Sequence, residues 1–242
     1  MKDDAHIKRM LAKEYNFDVK NVLSRARELS ANNNWILVQG ILALVGMALV
    51  LGFIFIQTFN ITTPEDLQLV SNTQNVLASL VINVVLAPVF AGIAMLAIST
   101  VRGVVAKPIN VFAYVSYILP LGVASLLISI ATDIGMMPFV LPAFYVFMAT
   151  TFTLPLIVDK QLTPFSAIFL SIRMTNAYLF QMSIIFLIFL ALFVGVVLTF
   201  GFALIWVGPY FYNVKAVLYT ELFCSAESTE QSQPKDTGVF DA

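Results

Sequence analysis

The chain has 242 residues, of which 60% are hydrophobic and only 11% are charged. Soluble domains are typically about 45–50% apolar and about 25% charged, so this composition excludes an ordinary soluble protein. The net charge of −1 gives no basis for nucleic-acid binding, and one cysteine with one histidine cannot form an internal disulfide or a Cys/His metal site. We therefore predict an all-α integral membrane protein without a metal or other cofactor.

The first 34 residues are polar and contain seven of the thirteen basic residues. A cleavable signal peptide has its apolar region within roughly the first 15–30 residues, so the first apolar run is expected to remain in the membrane. The stretch DVKNVLSRAREL predicts a short amphipathic helix with Asp18 as N-cap and an apolar face formed by Val19, Val22, Leu23, Ala26 and Leu29. Both a position on the membrane surface and packing against the protein's own cytoplasmic side fit this pattern.

Six apolar segments are long enough to cross a bilayer, which requires ~20 residues per helix. Their approximate bounds are 35–57, 77–99, 111–131, 136–158, 179–200 and 202–221. The motif TPED, with Thr63 as cap and Pro64 in the first turn, predicts a helix that continues into the second span. Thr163 and Pro164 repeat this device in an amphipathic segment before the fifth span, and Gly201 is the predicted turn before the sixth.

The positions of the basic residues favour six spans. The segments 1–34, 100–110, 159–178 and from Lys215 onward then lie on one side and contain 7, 2, 2 and 2 basic residues, which is all thirteen. Because Lys and Arg are enriched on the cytoplasmic side, both termini are predicted to be cytoplasmic. The predicted divisions are an N-terminal segment 1–34, a six-helix membrane domain 35–223 and a disordered tail 224–242.

Each even-numbered span contains an aliphatic residue, any residue, Pro, any residue and Phe. The three sequences are LAPVF, VLPAF and VGPYF, around Pro88, Pro142 and Pro209. Because the three spans run in the same direction, the chain is predicted to consist of three diverged helical hairpins. A proline inside a helix removes a hydrogen bond, so these prolines are candidate kinks. The kinks either fit curved helices together or act as hinges beside a cavity.

Ionisable residues are almost absent from the middle of the predicted spans, which argues against a transporter built on buried carboxylates. The embedded amides Gln39, Asn83, Gln181 and Asn213 either join helices or form a polar groove for a lipid headgroup. Candidate contacts to anionic headgroups are the basic residues of the predicted cytoplasmic face, although topology alone also explains them: Arg102, Lys107, Lys160, Arg173 and Lys215.

One segment, Asp133–Ala177, resembles a known family. It contains the proline-bearing fourth span, the exit PLIVDK at Pro155–Lys160 and the stretch SIRMT at Ser171–Thr175. These features resemble the YciC-like group of small bacterial inner-membrane proteins, which is similar to the membrane domain attached to some glycerophosphodiester phosphodiesterases. The resemblance implies a bacterial inner membrane and a multi-helix fold. It brings no catalytic residues, because hydrolysis in those fusions belongs to a separate soluble domain.

The leading prediction is a non-enzymatic inner-membrane protein that organises or handles lipid, or scaffolds a membrane partner. Its expected partners are the bilayer, with anionic lipids in particular, and a second copy of the chain or another membrane protein. The alternative is a passive transporter or channel for a neutral or lipid-like solute, with the proline kinks as gates. A membrane enzyme is the least favoured class, because the sequence contains no motif for a nucleophile, phosphate loop or paired carboxylates.

Overall fold

The computed structural model describes residues 2–13, 17–61, 63, 66, 71–136 and 140–224. Within these residues all regular secondary structure is helical, which confirms the predicted all-α class for the described part of the chain. The elements are α1 (Lys2–Leu11), α2 (Val19–Thr58), α3 (Asn72–Val101), a 3₁₀ segment (Pro108–Tyr117), α4 (Ile118–Met136), α5 (Val140–Ala149), α6 (Thr153–Asp159), α7 (Pro164–Ala177), α8 (Leu179–Leu198) and α9 (Leu204–Phe223).

Five segments of the described chain are long and apolar enough to cross a membrane. They are Trp35–Thr58, Thr73–Val101, Pro108–Met136, Leu141–Asp159 and Leu179–Leu198. These segments coincide with the first five predicted spans and support the assignment to a membrane. The helix α9 occupies the position of the predicted sixth span but does not meet the same criterion, because it also carries Asn213, Lys215 and Glu221.

The first span and the amphipathic segment before it form one helix, α2, instead of the two expected helices. The helix begins as predicted, because the side chain of Asp18 accepts a hydrogen bond from the backbone N–H of Lys20. No proline lies between Val19 and Thr58, so nothing in the sequence ends the helix before the span. Val22 and Ala26 on the predicted apolar face are fully buried, which favours packing against the protein.

The helix α9 lies among the other helices and packs against α2 and α3. The phenol of Tyr210 donates a hydrogen bond to the backbone oxygen of Leu23 at 3.4 Å. The amide of Asn213 donates to the hydroxyl of Ser30 at 2.8 Å. These two contacts place the start of α2 beside the middle of α9.

Small residues on α3 allow its neighbours to approach closely. Ala87, Ala91 and Ala94, which form one face of the second predicted span, are all buried. A Cβ atom at Gly92 would overlap the backbone carbonyl of Val111, so the 3₁₀ segment lies directly on α3 at this point. The packing of these two elements therefore depends on the absence of a side chain at one position.

The fourth predicted span is interrupted in its middle. The helix α5 ends at Ala149, the residues Thr150–Phe152 form a turn, and α6 begins at Thr153. Pro155 explains the break, because it lacks the N–H that would bond to the carbonyl of Thr151 and its ring crowds that carbonyl. The interruption is thus caused by a proline that the repeated motif does not include.

The three prolines of the repeated motif occupy different positions in their helices. Pro88 and Pro209 lie inside α3 and α9, so both remain candidate kinks. Pro142 is the third residue of α5, and a kink there stays a prediction. Pro138, the other proline of the fourth span, lies outside the described residues.

The predicted helix starts and turns have mixed outcomes. Thr163 caps α7 by accepting from the backbone N–H of Ser166, and Gly201 turns the chain with a φ of +88°, both as predicted. The start of α3 differs, because Ser71 and Gln74 form a capping box there, and no helix continues into α3 from Thr63. Pro64 and Glu65 lie outside the described residues, as do residues 225–242 of the predicted tail.

Candidate functional site

A polar cluster joins the ends of α3, α6 and α9. Arg102 donates two hydrogen bonds to the carboxylate of Asp159, at 2.8 and 2.9 Å, and Tyr219 donates a third at 2.8 Å. Arg102 also donates to the sulfur of Cys224 at 3.0 Å, and the ammonium of Lys160 lies 3.9 Å from Asp159. These five residues are called the Arg102 cluster below.

The Arg102 cluster is largely withdrawn from solvent, since the side chains of Arg102 and Asp159 are 18% and 12% exposed. Burial opposes the charge on Arg102, but the hydrogen bond to Asp159 and the nearby negative charge outweigh it, so the pKa of Arg102 lies above its ordinary value. Burial also raises the pKa of the Cys224 thiol, despite the opposing charge of Arg102. The cluster is therefore a satisfied ion pair with an unreactive thiol beside it.

The N-terminal helix α1 packs beside this end of the bundle. His6 Nε2 donates to the backbone oxygen of Glu221 at 2.9 Å. The phenol of Tyr178 donates to the backbone oxygen of Met10 at 2.9 Å, and the ring of Phe17 lies 5.3 Å from that of Tyr178. These contacts hold the first residues of the chain against α7 and α9.

A cleft of about 540 Å³ lies between the helices and is lined by residues from all six predicted spans. Most of the lining is apolar, as illustrated by Phe90, Phe147, Phe193 and Leu204. A set of uncharged polar residues also faces the cleft: Asn83, Ser125, Ser129, Thr132, Thr150 and Thr151. A site of about 300–1,000 Å³ with apolar walls and a few polar groups is typical of small-molecule binding. This volume is called the central cleft below.

The break in the fourth predicted span contributes polar groups to the central cleft. The hydroxyl of Thr150 donates to the carbonyl of Val146 in its own helix at 2.8 Å. The hydroxyls of Ser129 and Thr151 have no hydrogen-bond partner in the described part of the chain. They are therefore available to a ligand in the central cleft.

The predicted headgroup contacts occupy three different environments. Arg102 and Lys160 belong to the Arg102 cluster, where both approach Asp159. Lys107 and Arg173 are exposed, the first immediately before the 3₁₀ segment and the second on α7. Contact of these residues with lipid headgroups stays a prediction, and Arg102 already donates three hydrogen bonds within the protein.

The fifth predicted contact, Lys215, lines the central cleft. Its Nζ atom lies 5.4 Å from the ring centroids of both Phe211 and Tyr212. Side chains on a helix lean towards its N-terminus, so the ammonium lies over the preceding turn of α9. It therefore points away from the end of α9 where the Arg102 cluster lies.

The embedded amides divide between the two predicted roles. Asn213 joins α9 to Ser30 on α2, as an interhelical hydrogen bond, while its own side-chain oxygen is buried without a partner in the described chain. Asn83 lines the central cleft, as a polar groove requires. Gln181 lies at the start of α8, beside a separate surface pocket, and Gln39 is half-buried on α2.

The pairing of Arg102 with Asp159 is the main feature that the sequence reading missed. Arg102 follows the second predicted span and Asp159 follows the fourth, on the same predicted side of the membrane. Two opposite charges at equivalent ends of two spans could have indicated this ion pair. The separation of 57 residues concealed it, because periodicity describes single helices and not which helices meet.

Comparisons with protein families, curated proteins and solved structures found no match for this chain. The resemblance to the YciC-like group therefore stands on the sequence motifs alone. Among the described residues, no group of three or more His, Cys, Asp or Glu is placed to hold a metal ion. The fold and the site define a class: a helical protein suited to a membrane, with a buried ion-pair cluster and a mainly apolar cleft.

Proposed function

We propose that this chain is a multi-pass protein of a bacterial inner membrane, with α9 as its sixth span. At about 1.5 Å per residue, the 20 residues of α9 extend about 30 Å, which matches the hydrocarbon core of a bilayer. Its polar residues Asn213 and Tyr219 have partners within the protein, so lower hydropathy is compatible with a span. The arrangement is three hairpins with both termini in the cytoplasm, and the distribution of basic residues supports it.

The function that the geometry supports best is the non-catalytic handling of lipid within the envelope. The central cleft is the observation that carries this proposal, because residues from all six predicted spans line it. Its apolar walls and its polar side chains match an amphiphile better than a purely polar solute. The resemblance to membrane domains attached to glycerophosphodiester phosphodiesterases adds support by analogy alone.

Native mass spectrometry of the protein, extracted in nanodiscs from its own membrane, tests this function. We expect a lipid retained at fixed stoichiometry. The variant Ser129→Phe fills the central cleft and should release that lipid, whereas Ser79→Phe makes the same change on an exposed face and should retain it. Retention of a protein partner or second copy without lipid contradicts lipid handling and supports the scaffolding role instead.

A passive transporter or channel for a neutral or lipid-like solute is the second candidate. The interruption at Thr150–Phe152 favours it, because irregular backbone inside a membrane occurs where it is enclosed by protein or lines a cavity. Single cysteines at Ser129, Thr132 and Thr151, in a Cys224→Ser background, test for a continuous aqueous path. Labelling of all three by a membrane-impermeant reagent supports transport, and protection of all three from it supports a lipid-filled cleft.

A further inference from the structure

Lys215 has no carboxylate partner within the described part of the chain. Asp159 is already bound by Arg102 and Tyr219, and Glu221 pairs with Arg25 at 4.0 Å. The remaining carboxylate in the central cleft belongs to Asp133, which is exposed near the end of α4 and forms no ion pair with Lys215. The ammonium therefore meets only aromatic rings and uncharged groups.

Aromatic rings alone compensate poorly for a half-buried ammonium. Cation–π contacts contribute about 0.5–2 kcal/mol, whereas removing an ammonium from water costs several kcal/mol. A charged side chain within a membrane-spanning segment is accordingly rare and usually serves a function. An anion bound beside Lys215 would compensate the charge.

Basic residues near the start of α2 lie close to the part of α9 that carries Lys215. Tyr210 and Asn213 contact the start of α2, which carries Lys20, Arg25 and Arg27. The positively charged part of the chain therefore lies beside the same turns of α9. This concentration of positive charge near Lys215 favours an anionic ligand over a neutral one.

We propose that the central cleft binds one anionic phospholipid, with its phosphate on Lys215 and one acyl chain along the apolar wall. This inference rests on the lipid-handling function proposed above and adds the chemical class of the lipid. The positive charge of Lys215 is suited to the phosphate of such a lipid. Apolar lining residues such as Phe90, Phe147 and Phe193 are suited to its acyl chain. The unpartnered hydroxyl of Thr151 supplies a second donor.

The test uses the full chain in nanodiscs of phosphatidylcholine that contain a minor fraction of phosphatidylglycerol. Native mass spectrometry then counts each lipid that remains bound to the protein. We expect one phosphatidylglycerol per chain, enriched over its share of the bilayer. Lys215→Met should reduce the enrichment about tenfold, since a hydrogen bond to a charged group is lost, and Lys215→Arg should retain it.

Lys8→Met is the matched control, because it removes an exposed positive charge on α1 outside the central cleft. We expect it to leave the enrichment unchanged, and an equal loss in this variant would assign the effect to general surface attraction and overturn the proposal. Size-exclusion chromatography confirms that each variant is folded. Because Lys215→Arg keeps the charge, loss of lipid from this folded variant would also contradict a site defined by charge.

Three further outcomes distinguish a failure of this inference from a failure of the proposed function. Equal retention of the two phospholipids would overturn the role of Lys215 but leave lipid handling in place. Retention of neither lipid would overturn both. Displacement of phosphatidylglycerol by inorganic phosphate or by oleate at equal concentration would show that a smaller anion suffices and would contradict a phospholipid site.

Discussion

Arg102 and Lys215 are both cations on the predicted cytoplasmic side, yet their surroundings differ. Arg102 meets a carboxylate, and a phenol completes the coordination of that carboxylate. Lys215 meets two aromatic rings and the open volume of the central cleft. The pair of Arg102 and Asp159, called the joint below, neutralises its charge within the protein and has a structural role. Lys215 has no such partner, so a bound ligand must neutralise it, and its surroundings are a candidate binding site.

The largest expected effect comes from removing the carboxylate of the joint. Asp159→Asn leaves Arg102 buried without its counter-charge, which should lower the free energy of unfolding by about 3–5 kcal/mol. Thermal unfolding followed by tryptophan fluorescence in a non-ionic detergent measures this. Asp133→Asn, at an exposed carboxylate, should have no effect.

The double variant Arg102→Met/Asp159→Leu completes the measurement. It removes both charges together, so most of the lost stability should return, because apolar residues of similar size often replace a buried ion pair without cost. If Asp159→Asn unfolds at the wild-type temperature, the two residues do not form a structural joint.

A smaller loss is expected when the phenol of the joint is removed. Tyr219→Phe deletes the hydrogen bond to Asp159, and a hydrogen bond to a charged group contributes about 1.5–3 kcal/mol. Tyr210→Phe is the control, because its longer bond at 3.4 Å reaches a neutral backbone carbonyl. The same unfolding assay should show the smaller change for Tyr210→Phe, and the reverse order would contradict the assigned role of Tyr219.

A change in stability of the opposite sign is expected when Lys215, in the central cleft, is replaced. In protein freed of lipid and held in non-ionic detergent, Lys215→Met removes an unpaired cation, so stability should stay equal or rise by up to about 1 kcal/mol. The unfolding assay used for Asp159→Asn applies here as well. A loss as large as that of Asp159→Asn would mean that Lys215 already has a counter-ion within the protein.

The smallest expected effect is a change in the labelling rate of the single cysteine, Cys224. Because the pKa of the Cys224 thiol is raised by burial, the reactive thiolate is scarcer at pH 7.5 than for an exposed thiol. Maleimide should label folded protein slowly and unfolded protein rapidly. Asp159→Asn should accelerate labelling, because the nearby negative charge that raises this pKa is removed and the cluster loosens. Rapid labelling of the wild type would contradict a closed cluster.

The sequence predicted features that depend on neighbours along the chain. The first five spans, the caps at Asp18 and Thr163 and the turn at Gly201 all follow from local hydropathy, hydrogen bonding and backbone freedom. The apolar face of the amphipathic segment was also correct, since Val22 and Ala26 are buried. The sequence left open where that face packs, because membrane and protein offer similar apolar surroundings.

The features that the sequence did not predict depend on pairs of distant residues. Residues at the interruption beside Pro155 line the central cleft, while other helices supply the opposite walls. The roles of Arg102 and Lys215 differ for the same reason, since a carboxylate from another helix reaches only one of them. Topological rules place both residues on one side of a membrane but do not assign partners.

The contact between the first and last helices has a consequence for the timing of biosynthesis. His6 and Glu221 are 215 residues apart, so roughly 10–40 s of translation separate them at typical rates. Throughout that interval α1 has been made but lacks the α9 surface on which it later lies. A chain that stops before α9 therefore leaves its first helix without this partner. Docking of α1 onto α9 consequently requires a chain that has been synthesised through α9.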